Sequence, residues 1–118
     1  MMSEYYPILK DDRASAKARG LYFTALAMKE SFGRGLKKSD VARHIPDGHV
    51  SFDNTWRELK ELGYIRIHAT PCSHGWEYEI ELVQKPNLDS PHTIFYSSNG
   101  KIIRTVYPGD REGHANGL

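Results

Sequence analysis

Between His49 and Leu62 the chain reads HVSFDNTWRELKEL, and helical spacing divides its side chains into two sets. Phe52, Trp56, Leu59 and Leu62 recur at steps of four, three and three, which makes one apolar stripe. Away from that stripe stand His49, Ser51, Asn54 and Arg57. These are residue types that read base edges: asparagine pairs bidentately with adenine, arginine with guanine, and serine with a base or a phosphate. Asp53 shares their side of the helix. It accepts only from a cytosine amino group and repels phosphate at close range. An acid in the first turn favours the positive end of the helix dipole, and that is the role expected of Asp53.

The flanking residues supply weaker chemistry. Arg34, Lys37 and Lys38 lie beside the glycines of GRG, where the backbone can come close to phosphate. That is the position in which the helix before a recognition helix crosses the DNA backbone. Thr70, Ser73 and His74 belong to TPCSHG, read as a hairpin loop whose tip can touch a phosphate or the minor groove. It has no arginine or lysine, so the contact is a weak one. The ordinary reading of all these positions is a solvated face.

His68, Cys72 and His74 fall within HATPCSH and can ligate a metal, but the spacing matches no zinc motif. Cys72 has no His-acid pairing for nucleophilic work. GRG is not followed by the lysine-serine pattern of a phosphate-binding loop. No enzyme, metal or cofactor is expected.

The elements that must hold these residues follow from periodicity. Residues 1–12 read as an extended lead docked by Tyr6, Ile8 and Leu9. Ser15 opens a helix whose Ala18, Leu21, Tyr22, Ala25, Leu26 and Met28 form a broad apolar stripe. Gly20 inside it suggests close approach by another element. GRG ends this helix, and Leu36 reads as a stub strand. A second helix, KKSDVARHI, turns Val41, Ala42 and Ile45 inward and stops at Pro46. After the third helix, closed by Gly63, the period changes to two. Ile65 and Ile67 share one face of a first strand. Trp76, Tyr78, Ile80 and Leu82 share one face of a second, with Glu77, Glu79 and Glu81 expected on the solvent side. Trp56 and Tyr64 are assigned to the core.

Helix, stub strand, helix, turn, helix and hairpin make a winged helix-turn-helix of the α+β class over residues 1–83. Residues 84–118 read as a linker, a second hairpin at about 93–106 with a primed turn at Asn99-Gly100, and a polar tail.

At 118 residues the chain holds one small domain, and its formal net charge is only +1. Any DNA contact must therefore come from a local patch. One cysteine excludes an internal disulfide and fits a reducing compartment. With no apolar run long enough to span a bilayer, a cytoplasmic protein is expected.

ILKDDRASAKARGLYFTAL followed by GLKKSDVARHIPDGHVSFDNTWRELKELGYI resembles the N-terminal winged-helix domains of phage and mobile-element replication proteins of the replisome-organiser type. The likeness covers roughly residues 6–83. LKELGYI is common to many winged-helix regulators, and its combination with the first helix is the more specific part. The resemblance implies double-stranded DNA binding through the third helix, with the hairpin as a wing. Members of that family often carry arginine where this chain has His49 and Asp53. The expectation is a transcriptional regulator or replication-associated factor, paired as a homodimer through the first helix or the C-terminal hairpin. The alternative is a protein-binding adaptor, such as a phage-encoded inhibitor of a host system.

Overall fold

Ser15 starts the first helix for a local reason. Its hydroxyl accepts the Ala18 N–H at 3.1 Å and satisfies one of the open donors of the first turn. The helix α1 runs over Ala16–Phe32, and Gly33 ends it at φ 62. The computed structural model describes residues 6–110 apart from Asp47 and the side chain of Arg34. Helix α2 is a short segment, Lys38–Arg43, in which the Asp40 carboxylate accepts the Lys37 N–H at 3.0 Å. Helix α3, His49–Glu61, follows Gly48 at φ 80 and is left through Gly63 at φ 88.

Strands β1, Ile65–Cys72, and β2, Gly75–Leu82, form an antiparallel hairpin. Strand β3, Thr93–Tyr96, lies parallel to β1 on its other side, and β4, Ile102–Val106, is antiparallel to β3. The sheet order is β2-β1-β3-β4, so the class is α+β with three helices and a four-stranded mixed sheet. Register places Ile65, Ile67, Ala69, Ile80, Thr93, Phe95 and Val106 on one face of the sheet, and all are buried. Leu21, Val41, Phe52, Trp56 and Leu59 of the helices complete the core. Leu26 and Ile45 are only half-buried and pack against its margin.

Several expectations are corrected. The lead holds a 3-10 turn, Pro7–Lys10, because Pro7 fixes a helical φ at its start. Ile8 is buried there, and Leu9 points outward at 37% exposure. Leu36 forms no strand among the described residues; it is a core residue on the link from α1 to α2. A Cβ at Gly20 would meet nothing within 4 Å, so no element approaches it. Strand pairing continues through Pro71↔Trp76 to Cys72↔Gly75, leaving only Ser73 and His74 in the hairpin turn. In the second hairpin Gly100 takes φ 87, and no described non-glycine residue has positive φ. A primed turn needs positive φ at Asn99 as well, so it does not form. Instead the Gly100 N–H donates to the Ser97 carbonyl at 2.9 Å.

Among the described residues no helix is long and apolar enough to cross a membrane.

Candidate nucleic-acid interface

The apolar stripe of α3 fixes which side chains face out. Phe52, Thr55, Trp56 and Leu59 are buried. Val50, Asn54 and Arg57, at steps of four and three, form an exposed line along the opposite side. His49 is exposed at the helix start. Arg57 makes no ion pair among the described residues. Ser51 is half-buried, and its hydroxyl accepts from Lys17 Nζ at 3.0 Å. Val50 and Lys17 were missed by sequence reasoning. Val50 is 64% exposed and continues the Asn54–Arg57 line by one turn, which helical spacing alone can reveal. Lys17 belongs to the first turn of α1, and only the packing of α1 on α3 brings it to Ser51.

A carboxylate clamps that packing. Glu58 of α3 accepts the Ser15 N–H at 2.7 Å and the Ser15 hydroxyl at 2.9 Å. The start of α1 is thereby fixed against α3.

Asp53 has a different role from the one expected. Helix α3 begins at His49, so Asp53 falls in the second turn, and the first turn holds no acid. Its carboxylate lies 3.3 Å from Lys38 Nζ, which also sits 5.8 Å above the Trp56 ring. Lys38 is therefore a tie between α2 and α3, its side chain only 22% exposed. Lys37 is exposed beside it. Arg34 was a candidate contact, but its side chain lies outside the described residues.

The hairpin residues separate. Ser73 and His74 form the exposed tip, and His74 shares a cleft with His49, Lys37 and Lys38. Thr70 lies elsewhere: it lines a hollow with His68, Glu79 and Tyr96 on the far face of the sheet. The glutamate row is partly engaged there. His68 bridges the Tyr96 hydroxyl at 2.8 Å and Glu81 at 2.7 Å, and Arg66 lies 3.5 Å from Glu81. Those contacts tie β1 to both of its neighbours and leave Glu77 exposed. Among the described residues no group of three or more His, Cys, Asp or Glu is placed to hold a metal ion.

The site thus gathers exposed α3 side chains, Lys17, Lys37 and the hairpin tip, and leaves Thr70 apart. The chain matches no family model, no curated protein and no solved structure.

Proposed function

We propose that the chain is a double-stranded DNA-binding protein of phage, plasmid or bacterial type, acting as a transcriptional regulator or replication-associated factor. On this reading it is a winged helix-turn-helix, in which α2 and α3 form the helix-turn-helix and the β1–β2 hairpin is the wing. The observation that carries it is the exposed line Val50, Asn54 and Arg57 on α3. An apolar methyl, a carboxamide and a guanidinium match the thymine methyl, adenine edge and guanine edge of a major groove. Lys37, Lys17 and the hairpin tip at Ser73 and His74 flank the line as phosphate contacts. A homodimer would double this small basic footprint.

The alternative is a protein-binding adaptor, favoured by one observation: Asp53 neutralises Lys38 beside α3. Mobility shifts against a randomised duplex pool, at about 50 and about 200 mM salt, separate the two. The DNA reading expects Arg57→Ala to cost about 1–3 kcal/mol on a selected site and to relax its specificity. Lys37→Ala should weaken all duplexes alike and lower the salt slope by about one. Asp53→Asn releases Lys38 and should tighten nonspecific binding. If no duplex binds at low salt and Asp53→Asn changes nothing, the DNA reading fails and the adaptor reading stands.

A further inference from the structure

Along β2 the inward face runs Trp76, Tyr78, Ile80 and Leu82, yet its burial is uneven. Ile80 is 1% exposed, whereas Trp76, nearer the hairpin tip, is 39% exposed. Trp76 is held edge-on against Phe95, with ring centroids 5.1 Å apart, so its ring has a fixed seat. The space in front of it is a cleft of about 750 Å³ between the hairpin, α2 and the first half of α3. Phe52, Ile67 and Ile80 form its floor, all buried against the core.

We infer that this cleft binds a small, uncharged, planar aromatic molecule. Its size falls in the range of small-ligand sites, roughly 300–1,000 Å³. Its walls are apolar and aromatic, through Trp76 and Tyr78, which suits a flat ring. Its rim is balanced in charge: Lys37 and Lys38 stand against Asp53 and Glu77. Lys38 and Asp53 already satisfy each other. A ligand with a net charge gains little there, whereas an uncharged one loses no hydration of its own ions. Ser39, His49 and His74 at the mouth offer hydrogen bonds for one or two polar substituents.

The site goes beyond the DNA reading, and only its consequence rests on that reading. His49 of α3 and His74 of the hairpin tip both line the cleft. An occupant therefore touches both parts of the proposed DNA surface and holds them at one separation, making the site a place for an effector.

The test titrates the full chain with neutral N-phenyl-1-naphthylamine and with its anionic relative 1-anilinonaphthalene-8-sulfonate, reading probe fluorescence. The neutral probe should saturate a single site and bind more tightly than the sulfonate. Trp76→Ala, which removes a wall and little of the core, should weaken it by about tenfold or more, equivalent to about 1.4 kcal/mol. Ala42→Phe, which fills the cleft from α2, should do the same with the helical circular dichroism unchanged. Lys85→Ala, an exposed side chain on the link from β2 to β3, should leave binding as it is. Unsaturable binding, preference for the sulfonate, or indifference to both Trp76→Ala and Ala42→Phe overturns the proposal. Quenching of Trp76 by single-stranded oligothymidylate without any binding of the neutral probe also overturns it, in favour of base stacking. Duplex affinity with and without the probe reads the consequence separately. A chain that binds probe but no duplex keeps the site and loses the DNA reading.

Discussion

Single residues show where sequence patterning is sufficient and where it stops. Trp56 was legible because it lies on the apolar stripe of α3, and it is 1% exposed, stacked on Phe52 at 5.6 Å. Trp56→Ala should cost about 3–5 kcal/mol in a urea titration, since it empties a large, closed site. A loss below about 1 kcal/mol would mean that the ring is not packed as described. Asp53 was not legible in the same way. Periodicity puts it on the outward face, but its partner Lys38 is on another helix, and no local pattern names that ion pair. Gly20 misleads for a related reason: an interior glycine usually signals close packing, yet here nothing lies within 4 Å of its would-be Cβ. It costs helix propensity and gains no contact in return. Gly20→Ala should therefore stabilise the fold by about 0.5–1 kcal/mol. A fall in the denaturation midpoint would reveal a contact that the geometry lacks.

At the scale of elements, the three helices and the β1–β2 hairpin could be read from local periods, and their limits could not. TPCSHG looks like a loop because proline and glycine punctuate it, yet strand pairing runs through Pro71 and Gly75. Strand β3 pairs only with residues 67–69 of β1, so Pro71 stands where β1 has lost its second neighbour and a missing N–H is tolerated. Gly63 is more constrained: at φ 88 it turns the chain from α3 into β1, and a Cβ there would lie 3.0 Å from Pro86. The link from β2 to β3 thus packs on the end of α3, and His92 is buried beside it at 6% exposure. Its Nδ1 lies 2.7 Å from the Thr93 hydroxyl and its Nε2 lies 3.9 Å from Glu61, with Lys60 and Asp110 also acting on it. Burial first, then the Lys60 charge, holds its pKa below the ordinary 6.5. The fold therefore favours neutral His92, and protonation favours the unfolded chain. This contribution is complete above about pH 6.5 and is lost as the pH falls from there toward the lower folded value. The melting temperature should drop between about pH 7.5 and about pH 5.5, and drop less in His92→Gln. Identical slopes in the two proteins would rule His92 out as the cause.

The whole molecule depends on a pairing that no local pattern announces. The β3–β4 segment reads as a separate hairpin, but parallel docking on β1 makes it half of the sheet and buries Thr93, Phe95 and Val106. Parallel pairing across a long connection leaves no period in the sequence, so it had to be seen in the fold. The completed sheet has two unlike edges. On β2, Lys29 Nζ donates to the Ile80 carbonyl and the Tyr22 hydroxyl donates to the Val83 carbonyl just beyond the strand, at 3.1 Å. Glutamates further discourage pairing along that edge. On β4, by contrast, Ile102 and Ile103 are 60% and 59% exposed, and a bulge leaves Ile103 without a residue opposite on β3. Exposed adjacent isoleucines on an edge strand form a surface that a second copy can cover, and the proposed homodimer is assigned to this edge. Both substitutions in Ile102→Lys/Ile103→Lys lie on exposed side chains, so the melting temperature should change little. The light-scattering mass of the unaltered chain should be that of a dimer, and the double variant should elute as a monomer with weaker, steeper binding to DNA. A monomeric unaltered chain at all concentrations would remove the dimer from the proposed function. A variant that remains dimeric would move the interface to another surface, with the exposed side of α1 the next to test.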